Sequence, residues 1–160
     1  MITCYFENGN KDNLRHVAVG AIILKDGKVL LTKRGFYQGK PIPEHGKWDI
    51  VGGYLDRNEN LQEGVKREAK EEVGIAIEDI NLFRINDSPN RKMEDKQNLD
   101  MIFIAKTQEE VKIATEEVLE YSWFDLKNLP SKDQFAFDHL ESVELYKKYL
   151  KENFTLPILG

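Results

Sequence analysis

The chain has 160 residues, with 23 Lys and Arg against 28 Asp and Glu, a formal net charge of −5 and a single cysteine. The length suits one compact domain that buries about two thirds of its unfolded surface. The acidic balance excludes a nonspecific nucleic-acid binder, whose affinity would rest on clustered cations, and the lone Cys4 excludes an intrachain disulfide.

The start, Met1 to Gly9, lacks the basic-then-apolar pattern of a secretion signal, and no apolar run reaches membrane-spanning length. A cytoplasmic location with no membrane partner is therefore expected. Val17 to Leu24 is apolar on both alternate faces, Asp26-Gly27 is a strong hairpin signal, and Val29 to Thr32 returns as a second strand. Both read as sheet interior. Lys33 to Gly46, rich in glycine, proline and charge, reads as an irregular loop. Gly46 to Gly53 reads as a short strand running into a tight turn, where paired glycines let the backbone approach a ligand closely.

From Asn60 the pattern turns helical. Leu61, Val65, Ala69 and Val73 recur every four residues and form one slanting apolar stripe. Asn60 is the expected N-cap with Glu63 as its reciprocal partner, and Gly74 stands where a helix C-terminal glycine belongs. Strands are expected at 75–77, 82–85, 99–105 and 121–124. A final helix is expected from Asp138, with Leu140, Val143, Tyr146 and Leu150 at helical spacing and Glu141 completing a second capping pattern. No internal repeat or interdomain linker interrupts the chain.

The chemistry concentrates on the first helix. At about 100° per residue, Glu68, Glu71 and Glu72 share an arc beside the apolar stripe. Like charges so close repel, and only a cation or a basic neighbour offsets this. Hard oxygen ligands suit Mg²⁺ or Mn²⁺, which recruit water and phosphate oxygens as further ligands. Arg67, four residues before Glu71, is placed to hold that carboxylate by a paired hydrogen bond. Glu63, Lys66 and Lys70 fall on the far side and read as a solvated face.

The stretch Gly53 to Ile75, with Glu59, Arg67, Glu68, Glu71, Glu72 and Gly74 at fixed spacing, resembles the signature of the Nudix hydrolase family, G-x5-E-x7-R-E-U-x-E-E-x-G-U. Ala69 is smaller than the usual aliphatic residue at U, and Ile50-Val51 stands where Leu-Pro is common. The resemblance implies an α/β/α sandwich, a mixed sheet between helices, formed by one domain over 1–160 with its core at about 14–152. It also implies Mg²⁺-dependent hydrolysis of a nucleoside diphosphate linked to another group, by attack of water on phosphorus. Glu68, Glu71 and Glu72 would then hold the metal together with the carbonyl of Gly52.

For the base that takes the proton from water, Glu117 is the first choice, with Glu116 and Glu120 behind it. Arg34, Lys40, Lys47, Arg91 and Lys92 are candidates to meet phosphates, and Phe36, Tyr37 and Trp48 to stack on a base. Asp100, inside an apolar strand, faces either solvent or the cleft. His16, His45 and His139 show no metal-ligand spacing and carry no assigned role. Ser88-Pro89-Asn90-Arg91 resembles a stretch of some ADP-ribose or nucleotide-sugar pyrophosphatases, so these substrates lead, ahead of nucleoside triphosphates. A noncatalytic nucleotide sensor is disfavoured, because such domains act joined to a DNA-binding module and no room for one follows residue 152. Homodimers are frequent in the family.

Overall fold

A computed structural model describes residues 2–89 and 98–160. In chain order the elements are β1 (Ile2–Tyr5), β2 (Lys11–Leu14), β3 (Val17–Lys25), β4 (Lys28–Arg34), β5 (Phe36–Tyr37), β6 (Lys40–Pro41), β7 (Trp48–Asp49) and β8 (Val51–Tyr54). Then come α1 (Leu61–Val73), β9 (Glu78–Asn86), β10 (Leu99–Lys106), β11 (Val118–Asp125), α2 (His139–Glu152) and β12 (Ile158–Leu159).

The main sheet runs β11-β4-β3-β10-β9-β12, with β7 added to β4 and β8 added to β3. It is mixed: β3 and β10 pair in parallel from Val17↔Leu99 to Leu24↔Lys106, as do β9 and β12, while the other pairs are antiparallel. Parallel neighbours need a long crossover connection. Here that connection carries β8 and α1.

Side-chain alternation explains why the central strands read as apolar on both faces. Val19, Ala21 and Ile23 of β3, Leu30 of β4 and Phe103 of β10 pack under α1 against Val65, Ala69 and Val73. Ile22, Val29, Leu31 and Ile102 point the other way and pack with Phe83, Phe135, Val143 and Tyr146 under α2. The result is the expected α/β/α sandwich. Among the described residues, no helix is long and apolar enough to cross a membrane.

α1 is closed at both ends as its sequence requires. Asn60 Oδ1 accepts from the amides of Gln62 and Glu63 at 3.0 Å each, and Glu63 Oε2 accepts from the Asn60 amide at 2.8 Å. Gly74 closes the other end at φ 68°. Asn60→Ala is expected to cost about 1 kcal/mol of stability, measured by urea unfolding, with little effect on turnover at saturating metal.

Several expectations change in detail. Residues 75–77 form no strand; Ile75 and Ile77 instead bury their side chains in the core under α1, and pairing starts at Glu78. Within the expected loop after β4, β5 and β6 form a small hairpin. Asp138 precedes α2 but its side chain makes no cap bond; its Oδ2 accepts from Asn86 Nδ2 at 2.9 Å instead. Leu150 is exposed, and Tyr149 packs in its place.

Candidate active site

Arg67 is the hub of the acidic face of α1. Its guanidinium grips Glu59 with two bonds, Nη2 to Oε1 at 2.7 Å and Nε to Oε2 at 3.0 Å. Nη1 donates to Glu68 Oε1 at 2.7 Å and Glu71 Oε2 at 3.1 Å, and Nη2 also donates to the Tyr54 carbonyl at 2.9 Å. The expected pairing with Glu71 is thus one of five hydrogen bonds that Arg67 donates among the described residues. The Glu59 bond is the first cause that raises the guanidinium above its ordinary value, and the same bond holds the Glu59 carboxyl below its own.

Gly52 and Gly53 lie inside β8, where the sequence suggests a tight turn. They face Gly20 and Val19 of β3. A Cβ on Gly52 would stand 2.3 Å from the Val19 carbonyl oxygen, and one on Gly53 would stand 2.5 Å from Glu68 Oε1. Close approach of β8 to both β3 and the α1 carboxylate therefore requires glycine. Gly53→Ala is expected to displace Glu68 and reduce turnover by about tenfold with a modest loss of stability. Steady-state kinetics beside a thermal melt check this.

Burial is the first cause of the unusual electrostatics. It pushes the Glu68 carboxyl up; Arg67 opposes, and the charges of Glu71 and Glu117 add to the rise. Glu72 is raised well above the usual carboxylate range, chiefly by burial and then by Glu68 and Asp49, while Arg34 and the Gly52 backbone pull it down. These influences place Glu68, Glu71, Glu72 and Glu117 in one field. Glu117 reaches it because the Glu116-Glu117 backbone is fastened to the end of β4: the amides of Gly35 and Phe36 donate to the carbonyls of Glu117 and Glu116 at 2.7 Å each. Of the alternatives, Glu116 accepts from the Gly39 amide at 3.2 Å, and Glu120 pairs with Lys33 at 2.8 Å. Glu117 is half-buried and makes no ion pair among the described residues.

Of the phosphate-contact candidates, Arg34 and Lys47 are neighbours, the Arg34 amide donating to the Lys47 carbonyl at 2.9 Å. Arg34 donates to Asp49 Oδ2 at 2.8 Å and to the Pro43 carbonyl at 2.7 Å, which engages its guanidinium inside the protein. Lys47 pairs with Glu44, Lys40 is exposed on β6, and Arg91 and Lys92 lie outside the described residues. Trp48 packs edge-on against Phe124 with ring centres 4.9 Å apart, Phe36 packs on His45, and Tyr37 is exposed.

A second polar group emerges that the sequence reading leaves unassembled. His139, at the start of α2, bonds Asp49 through Nδ1 and lies 3.5 Å from Asp100 Oδ2 through Nε2. Asp49 and Asp100 are 2% and 4% exposed, so Asp100 faces inward. Burial alone would lower the His139 pKa, but the two carboxylates outweigh it and raise it to about 10. The only sequence signal for this group is an acid interrupting each of two apolar stretches, at Asp49 and Asp100. Spacing carries no trace of the histidine that joins them.

The α1 carboxylates suit a divalent cation. They offer hard oxygens, and Glu72 Oε2 is buried with no hydrogen-bond partner, a costly state that an ion relieves. Ligand atoms of Asp100, Asp138 and His139 also lie within 4.8 Å of one another and could hold an ion. There, however, a proton on His139 competes for the nitrogen.

The model of the NUDIX domain matches residues 14–146. An ADP-ribose pyrophosphatase of Methanocaldococcus jannaschii is 34% identical over 83% of this chain and 73% of its own length. An 8-oxo-dGTP diphosphatase of Buchnera aphidicola is 29% identical, covering 82% of this chain and 97% of its own. A crystal structure of a Nudix hydrolase from Nitrosomonas europaea superposes with a TM-score of 0.72 at 26% identity, covering 95% of this chain and 80% of that one.

Proposed function

This chain belongs to the Nudix hydrolase family, and we propose that it cleaves the pyrophosphate of a nucleoside diphosphate linked to another group, with ADP-ribose or a nucleotide sugar as substrate and Mg²⁺ or Mn²⁺ as cofactor. The observation that carries this reading is the buried, unpartnered oxygen of Glu72, on the same helix as Glu68 and Glu71. The name of the 34% identical relative supports ADP-ribose as the first substrate to try.

A bound divalent ion would neutralise charge developing on the phosphates and lower the pKa of an attacking water. Glu68, Glu71, Glu72 and the Gly52 carbonyl would hold it, and Arg67 keeps the first two carboxylates in place. As the water oxygen bonds to phosphorus and the bridging P–O bond breaks, Glu117 accepts the water proton. Lys47 is a proposed phosphate contact, and Arg91 is a second on its sequence alone. Arg34, tied to Asp49, acts at the rim of the site from within the protein.

A second reading, a nucleoside triphosphate pyrophosphatase, draws on the relative named 8-oxo-dGTP diphosphatase. One panel separates the two: ADP-ribose, nucleotide sugars, dinucleoside polyphosphates, NADH and nucleoside triphosphates, each with Mg²⁺ and with Mn²⁺. AMP plus a sugar phosphate supports the first reading. Pyrophosphate from a triphosphate supports the second, and nucleotide binding without turnover of any compound would sink both.

A further inference from the structure

Asp49 occupies an awkward position for an acid. It ends β7, is 2% exposed, and stands just before the segment that enters β8 with Gly52 and Gly53. Its Oδ1 accepts from the Ile50 amide at 2.9 Å and from His139; its Oδ2 takes the Arg34 guanidinium at 2.8 Å. Two cations from two different elements therefore meet one carboxylate. On its other side His139 reaches Asp100 of β10, so a single imidazole ties α2 to both β7 and β10. Phe137 packs beside the group, its ring centre 5.0 Å from the Arg34 guanidinium carbon and 5.6 Å from the His139 ring. Its own backbone is in the left-handed region at φ 50°. A bulky residue tolerates that conformation only where its surroundings impose it.

The link to the catalytic helix is electrostatic and covalent. The Asp49 charge is felt at Glu72, where it acts together with Glu68 and against Arg34. The same residue begins the run through which the Gly52 and Gly53 backbone is laid between β3 and α1. A buried carboxylate that loses a partner is strongly unfavourable, and Asp49 would relieve this by turning toward solvent or toward the α1 site. Either movement drags Ile50 to Gly53 with it.

We propose that His139 is a positioning residue: clamped between Asp49 and Asp100, it balances the Asp49 carboxylate and thereby fixes the Asp49–Gly53 segment against the metal-holding face of α1. The inference rests on the reading of that face as the metal site. It assigns to the first residue of α2 a role in the reaction that is exerted through Asp49.

The test is a charge-compensation cycle with His139→Gln, Asp49→Asn and the double variant. Each is measured for turnover of the nucleotide cleaved best in the panel, for Mn²⁺ binding by the resonance of free Mn²⁺ in the absence of nucleotide, and for thermal midpoint. His139→Gln is expected to lose about tenfold in turnover and to weaken Mn²⁺ binding severalfold, because it takes from the buried Asp49 charge one of its two cationic partners and leaves only Arg34. The double variant, which removes the Asp49 charge as well and leaves Asp100 and Arg34 each with one partner fewer, is expected to recover at least threefold of each loss. A packing role predicts the reverse, so losses that multiply in the double variant overturn the proposal, as does His139→Gln with wild-type turnover and Mn²⁺ binding. If His139→Gln fails to fold while the double variant folds and turns over, the compensation is demonstrated in stability. If neither folds, the pair serves packing and the proposal falls. Glu72→Gln in parallel separates the two layers of inference: unchanged turnover there removes the metal reading itself, whereas a dead Glu72→Gln beside an unaffected His139→Gln removes the clamp alone.

Discussion

Glu72→Gln is expected to lose at least about 100-fold in turnover while making the metal-free protein more stable than the wild type. The two effects share one cause. Glu72 is raised well above its ordinary value of 4.5, first by burial and then by Glu68 and Asp49, and one of its oxygens has no partner. In the unfolded chain it ionises near 4.5, whereas the native state holds the proton to higher pH. Between those points the native state binds a proton that the unfolded state has lost. Metal-free stability contributed by this group therefore falls as pH rises from about 4.5 through the elevated native value, then levels off. Glutamine, neutral throughout, abolishes that fall and with it the anionic ligand.

The check is a set of thermal midpoints between about pH 5 and about pH 8, in chelator and in saturating Mg²⁺, beside turnover numbers. Mg²⁺ is expected to raise the wild-type midpoint at neutral pH and to raise that of the variant far less. A variant with wild-type turnover would take Glu72 out of the metal site. One with the wild-type pH slope would put the buried charge elsewhere.

Arg67→Ala is expected to be almost as damaging, and in the opposite sense for stability. It removes the two bonds to Glu59, those to Glu68 and Glu71, and the one to the Tyr54 carbonyl. Charge-assisted bonds of this kind contribute about 2 kcal/mol each when buried. About a quarter of the Arg67 side chain is open to solvent, and that screening brings the total for the whole hub to about 3 kcal/mol. Turnover is expected to drop about 100-fold, because Glu68 and Glu71 lose the cation that aims them. Arg67→Lys keeps the charge but lacks the planar fork; it is expected to regain most of the stability and little of the turnover. Full recovery of turnover by lysine would show that Arg67 supplies charge alone.

What the sequence disclosed, and what it hid, follows a physical line. α1 was legible to its ends because its signals are local: a four-residue apolar period, an Asn60–Glu63 box and a terminal glycine. Its three carboxylates were legible for the same reason, since three- and four-residue spacings fix one face. The β3–β4 hairpin announced itself through Asp26-Gly27. The strand expected at 75–77 failed because β-branched residues suit any dry cavity, and Ile75 and Ile77 fill one without pairing. Asp138 failed as a cap because Asn86, 52 residues away, offers it a buried donor. Asp49, Asp100 and His139 stayed unconnected for the same reason. They come from β7, β10 and α2, and only tertiary folding brings them together. Glu117 rests on a tertiary link as well: its backbone is held by the Gly35 amide, and its charge adds to the rise at Glu68.

The parallel pairing of β3 with β10 has a kinetic consequence. Val17 meets Leu99 only after the chain between them has closed into a large loop, and such distant pairings form late in folding because closure entropy is lost before contacts repay it. α1 lies within that loop, with β8 paired on β3. A nascent chain that has made α1 therefore displays its cluster of acids before β10 has joined the sheet. If α1 is the metal face we propose, activity is expected to return in a refolding experiment with the slowest protection of β3 and β10 amides and never ahead of it.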